Sequence, residues 1–204
     1  MPPHGLYFLF SAVSAAIVVR RCFDPKVRKA WNVFRHTERE DVLLALLTLL
    51  WLAIAIFAQM SIPCPEILKP FLNWSFGTVL FGQNAPTANI TFSFLRVPVL
   101  GWLYIPCLAL VIPYMAHREE ELFRENTRDW KDACLRSLYF GFAHLFAFVS
   151  IGTCLILAVS GLIDSLAYFQ GGIERSTRVH ALVNLSLLFL VTCIFLYITV
   201  SSWK

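Results

Sequence analysis

Charge is scarce in this sequence. Asp, Glu, Lys and Arg make up 15% of its 204 residues, where a soluble domain carries about a quarter. That scarcity excludes an ordinary water-soluble domain, because a chain that is 58% hydrophobic cannot hide its Leu, Phe and Ile around one core of this size. CxxC pairs are also missing. The cysteines Cys22, Cys64, Cys107, Cys134, Cys154 and Cys193 fall singly, most of them within or beside apolar runs, where a free thiol packs as a small hydrophobe. Neither a disulfide framework nor a zinc ribbon is expected. No basic segment interleaved with aromatics occurs, so the net charge of +4 does not read as a nucleic-acid surface. Internal repeats and low-complexity runs are absent as well.

What is present is a series of apolar runs. A bilayer core of about 30 Å needs roughly 20 helical residues. Leu6 to Val19, Val42 to Ile62, Phe94 to Ala116 and His180 to Val200 meet or approach that ruler. The first run is short enough for a signal peptide, but it has no basic leader and is followed by Arg20-Arg21 instead of a small-residue cleavage site, so it reads as a retained span. The 33 residues from Ser137 to Phe169 are interrupted only by His144 and Asp164. As one helix they would reach about 50 Å, too long for one ordinary crossing. Either one long crossing carries an extended tail, or two short helices turn near Ser150 to Gly152.

Lys and Arg positions favour the second arrangement. Arg20 to Asp41 holds seven of them and Ala116 to Arg136 holds five, placing both segments on the cytoplasmic side by the positive-inside rule. Splitting the long stretch returns a loop from Gln170 to Val179, with Arg175 and Arg178, to that side and leaves only Lys69, Arg96 and Lys204 elsewhere. The expected fold is therefore an all-α polytopic transmembrane bundle of about six spans, in which Pro98, Gly101, Pro106 and Pro113 kink the third. Ile67 to Phe81, rich in Phe and Trp but too polar to cross, reads as an interfacial outer segment. The sequons at Asn73, Asn89 and Asn184 are assigned no function, since the last lies inside an apolar run.

Ionisable residues at membrane depth are costly, at least ~2.5 to 3.5 kcal/mol each, so they need partners or a purpose. Three groups stand out. His117-Arg-Glu-Glu-Glu-Leu-Phe-Arg124 places Glu120 and Arg124 at i,i+4 with the acid first, the order that favours a helical ion pair; the plain alternative is a solvated charged helix. Phe140-Gly-Phe-Ala-His144 puts a ring and an imidazole on one helix face, where a histidine can equally be a packing residue. His180-Ala-Leu-Val-Asn184 does the same with two polar side chains, which often serve as glue between helices.

In order and internal spacing the three groups resemble the CPBP family of intramembrane glutamate proteases, to which the CAAX prenyl endopeptidases belong. Its motifs EExxxR, FxxxH and HxxxN stand here as Glu119-Glu120 to Arg124, Phe140 to His144 and His180 to Asn184. The resemblance covers the chain from about Val97 to its C-terminus; residues 94–204 are read as the catalytic helical core and residues 1–93 as an accessory membrane region. It implies an endopeptidase acting on a membrane-associated or prenylated peptide, with no cofactor and no metal; HExxH is also absent. By the resemblance Glu119 and His144 activate water, Glu120 supports them, Arg124 fixes the carboxylate, Phe140 supports the site, and His180 and Asn184 supply oxyanion donors. These groups meet at one depth, towards the cytoplasmic side, only if the Ser137 to Phe169 stretch crosses twice. Membrane lipids are the expected surroundings, and oligomeric state is left open. A non-catalytic scaffold or immunity-type protein keeping the motifs for structure, and a proton-coupled transporter, remain as other readings.

Overall fold

The computed structural model describes residues 3–76 and 98–201, and the described residues are helical throughout their regular structure. The helices are α1 (Pro3–Cys22), α2 (Pro25–Ala30), α3 (Arg39–Ser61), a single turn α4 (Lys69–Leu72), α5 (Pro98–Phe123), α6 (Trp130–Ala143) and α7 (Ile151–Ser201). Short 3₁₀ segments, Trp31–His36 and His144–Ala147, follow α2 and α6. Residues 77–97, which include Arg96, the sequon at Asn89 and the distal part of the expected interfacial segment, lie outside the described residues. The near part, Ile67, Phe71 and Trp74, is exposed around α4.

Among the described residues two helices, Arg39–Ser61 and Ile151–Ser201, are long and apolar enough to cross a membrane, with mean hydropathies of 2.5 and 2.4. Only 22% of each apolar window is buried inside the protein. The core helix of a soluble protein would be mostly covered. Here α3 turns Leu43, Leu46, Leu50, Ile54 and Phe57 outward, and the end of α7 does the same with Phe189, Leu190, Ile194 and Ile198.

The long Ser137 to Phe169 stretch folds as two helices. The break falls at 144–150, slightly before the expected turn, where Phe148 takes a left-handed conformation at φ 67°. Gly141 lets the two backbones close up: a Cβ there would stand 2.2 Å from the Cys154 carbonyl oxygen and 2.9 Å from Ala158 Cβ. Together with the Ser137–Ser165 hydroxyl contact of 3.4 Å, this makes α6 and the start of α7 an antiparallel hairpin.

The expected loop from Gln170 to Val179 is corrected by the structure. Only Gly171 and Gly172 leave helical geometry, dividing α7 into a first arm, 151–170, and a second arm, 173–201. Gly172 at φ 69°, ψ −164° sits in a region open essentially to glycine alone. Two residues thus reverse the chain, and Ala167 packs beside Val179 and Val183. Arg175 and Arg178 are accordingly not solvated loop cations. They close on the fully buried Asp41 of α3, Arg178 Nε donating to Oδ2 at 2.7 Å and Arg175 Nε standing 2.8 Å from Oδ1.

Further contacts set the direction of each helix. Tyr104 meets Ser14 and Tyr114 meets Arg21, so α1 and α5 run parallel. Trp102 packs on Phe195 and His117 on Thr177, so α5 opposes the second arm. Trp51 Nε1 donates to the Ile156 carbonyl at 3.0 Å while Gln59 lies beside Gly152, so α3 opposes the first arm. The six long segments therefore alternate in direction. Among the described residues, Lys69 is the one Lys or Arg in a segment at the end opposite Gly171-Gly172. The kink expected in the proline-rich helix does not interrupt it: α5 continues through Pro106 and Pro113, with Pro113 fully buried against its neighbours.

Candidate functional site

Glu119 and Glu120 lie on α5 itself, within its last turns, instead of beyond the end of a span, and Arg124 stands in the turn directly after it. Successive helical positions point about 100° apart, so the three glutamates diverge. Glu121 turns outward to Arg118 and to His117, whose Nε2 is 3.3 Å away. Glu120 turns into the bundle and is fully buried. Glu119, one-third exposed at its side chain, faces a cavity between them.

Glu120 is held from three sides. His180 Nδ1 donates to Oε1 at 2.7 Å, the Ser176 hydroxyl donates to Oε2, and Arg124 Nε lies 3.7 Å from Oε2. Arg124 is itself fully buried. Its Nη2 donates to the Gly161 carbonyl at 3.0 Å and stands 3.8 Å from Asp164 Oδ2, while its guanidinium carbon lies 4.6 Å from the centroid of Phe140. A Cβ at residue 161 would come within 2.6 Å of that Nη2, so glycine there makes room for the guanidinium. Burying a lone cation costs several kcal/mol; two carboxylates, a carbonyl and an aromatic face compensate Arg124.

Phe140 joins the motifs. Its ring meets His144 edge-on at 4.9 Å and His180 at 5.5 Å and 89°. His144 Nδ1 is 2.9 Å from the Phe140 carbonyl oxygen. A carbonyl can only accept, so Nδ1 carries the hydrogen, and in the neutral ring Nε2 then keeps its lone pair. His180 Nε2 stands 3.5 Å from Glu119 Oε2, and Asn184 follows one turn along the same helix.

Glu119, His144, His180 and Asn184 line one cavity of about 400 Å³. The three motifs, 60 residues apart between Glu120 and His180, thus converge at one depth. Comparison with protein-family models, curated proteins and solved structures yields no match to this chain. The motif geometry is therefore what speaks for the site.

Glu120 was expected among the catalytic residues, in a supporting part. The structure keeps it behind His180, away from the cavity wall, so it can position the imidazole but cannot touch an occupant. Sequence reasoning missed four contributors. Asp164, 3% exposed, lines the cavity, and its Oδ1 has no hydrogen-bond partner among the described residues. Its only sequence signal is the interruption of an apolar run. Ser176 and the α3 residues Thr48 and Leu52, which wall the cavity from the supposed accessory region, gave no signal at all.

Glu119 and His144 also line a more open groove of about 690 Å³, whose other walls include Phe10, Ile17, Leu122 and Phe146. The two residues therefore border both the inner cavity, where their polar groups join those of Asp164, His180 and Asn184, and an apolar outer groove. One set of donor atoms, from Glu120, Asp164 and His180, lies within 4.8 Å of one another and suits a divalent cation in kind. Arg124 already stands 3.7 and 3.8 Å from the two carboxylates, however, and occupies the electrostatic role a cation would take.

Proposed function

We propose that this protein is a six-span intramembrane endopeptidase of the glutamate type, related to the CPBP proteases and cleaving a membrane-associated or lipid-modified peptide. The observation that carries this reading is the shared cavity: a half-buried carboxylate, an imidazole with a free Nε2 and a second imidazole one turn from an amide line the same small space. Peptide hydrolysis needs those parts. Glu119 and His144 Nε2 hold and deprotonate water, which attacks the scissile carbonyl. His180 Nε2–H and the Asn184 amide donate to the oxyanion as it forms. The proton taken from water passes by Glu119 or His144 to the leaving amine. Glu120 accepts from His180 Nδ1; with that hydrogen in place Nε2 is also a donor only in the imidazolium, whose charge the carboxylates of Glu120 and Glu119 balance, one at each ring nitrogen, while Arg124, between Glu120 and Asp164, holds Glu120 in place.

The membrane part of the proposal rests on the exposed apolar faces of α3 and α7, the alternation of six long segments and the collection of described cations at one end. By the positive-inside rule that end is cytoplasmic. The apolar groove beside Glu119 and His144 gives the hydrophobic part of a substrate a route from the bilayer.

A non-catalytic scaffold is favoured by one observation, the buried Glu120–His180–Arg124–Asp164 network, which could clamp helices without chemistry. Purified protein in detergent, given a panel of membrane and prenylated peptides, separates the two. Cleavage should be abolished by Glu119→Ala and by His144→Ala while both variants elute and melt like the wild type. If wild type and variants leave every peptide equally intact, the scaffold reading stands and the hydrolase reading is lost.

A further inference from the structure

A second cavity, of about 670 Å³, opens at the cation-rich end of the bundle between α2, the 3₁₀ segment Trp31–His36, α5 and the second arm of α7. Its wall chemistry is unlike that of the site above. Lys26, Lys29, Arg35, His36, His117 and Arg118 face it, against two carboxylates, Glu121 and Glu174. Glu121 is already engaged by Arg118 and His117. Lys26, Lys29 and Arg35 enter no ion pair among the described residues. Cations of one sign around a concave surface reinforce one another's potential instead of dispersing it.

The frame that presents these cations is fixed. Asp24 caps α2 by accepting from the Lys26 amide at 2.9 Å, Val27 is fully buried beneath it, and Trp31 Nε1 donates to the Leu110 carbonyl at 2.9 Å. Lys26 and Lys29, three apart, share the exposed face of that anchored turn. A floppy basic tail could serve topology alone; a pinned set of cations walling a cavity is organised for an occupant. We infer that this cavity binds a phosphate group, carried either by the headgroup of an acidic phospholipid in the adjoining leaflet or by a soluble phosphate. The space admits a phosphate with room for the group that carries it, and the charge and oxygens of phosphate suit several lysine and arginine donors at once. The floor of the cavity adjoins the neighbouring site: His117 Nδ1 meets Thr177 Oγ1 at 3.2 Å, and Thr177 follows Ser176, the partner of Glu120.

The test uses the full chain in nanodiscs of phosphatidylcholine alone, of phosphatidylcholine with phosphatidylinositol phosphate, and of phosphatidylcholine with added inorganic phosphate. Thermal midpoint and lipid retention by native mass spectrometry are read for wild type, for Lys26→Gln/Lys29→Gln/Arg35→Gln, and for a control, Arg20→Gln/Arg28→Gln/Lys131→Gln, which removes three cations that do not line the cavity. A stabilisation by the acidic lipid that the first variant loses and the control keeps assigns the headgroup. The same pattern with inorganic phosphate alone assigns a soluble ligand. Removing three cations should weaken binding by roughly fivefold each, about a hundredfold together. No stabilisation by either probe, or equal losses in the two triple variants, overturns the inference. All six substituted side chains are exposed, so folding is not expected to confuse the comparison, and circular dichroism verifies it.

Discussion

Replacing Gly141 by alanine tests the tightest approach of a neighbouring backbone to any of the described glycines. On helix propensity alone the change should help, by up to ~1 kcal/mol, because glycine in a helix interior costs that much relative to alanine. The tertiary contact opposes it. The new methyl would stand 2.2 Å from the Cys154 carbonyl oxygen and 2.8 Å from the Ala158 amide nitrogen, where ordinary contacts begin at 3.4 Å. Both are backbone atoms of a packed helix, so neither can rotate away, and α6 must move off the first arm of α7. Overpacking of this kind costs typically ~1 to 3 kcal/mol and sometimes more, enough to reverse the propensity gain. Gly152→Ala is the internal control: its nearest neighbour, at 2.8 Å, is the Gln59 side-chain amide, the flexible end of a side chain that can swing aside. Melting of detergent-purified protein, followed by circular dichroism, should show Gly141→Ala clearly less stable than wild type and Gly152→Ala close to it. The displaced α6 also carries Phe140 and His144, so any peptidase activity should fall with the first substitution only. A Gly141→Ala protein as stable as wild type would refute the helix spacing on which the site depends.

Asp41→Ala should destabilise by about 3 to 5 kcal/mol, since it leaves Arg175 and Arg178 facing an uncompensated gap; denaturant titration in mild detergent reads the loss, and a change below about 1 kcal/mol would mean the pair is solvated like a surface bridge. Asp164→Asn keeps the shape beside Arg124 but removes one of its two carboxylates, and it should lower kcat with little change in KM while the protein remains folded; an unaltered kcat would remove Asp164 from the working site. Single cysteines introduced at Arg35 and Ile67, in a background with the native cysteines replaced, should react with an impermeant maleimide from opposite faces of sealed vesicles, and labelling from one face would defeat the six-span arrangement.

Much of the site was legible because its residues violate the local rule. Glu119, His144, His180 and Asn184 are polar groups in or beside apolar runs, and the four-residue spacings from Phe140 to His144 and from His180 to Asn184 are ones that helical geometry turns into shared faces. Spacing could not distinguish Glu119 from Glu120. One points into a cavity and the other into a buried ion network, a difference set by which neighbour each meets one-third of a turn apart. Asp164 was visible only as an interruption, because its partner Arg124, which also donates to the Gly161 carbonyl, arrives from a distant part of the chain.

The sequence by itself determined the helical class, the positions of the apolar runs and the break near residue 150, since hydropathy and periodicity are local properties that survive any arrangement of the helices. Only the tertiary structure decided that Gln170 to Val179 turns in two glycines, that Arg175 and Arg178 close on Asp41, and that α3 walls the cavity. Those outcomes depend on contacts across more than a hundred residues of chain, where the cost of burying a charge is met by a partner that no local window contains.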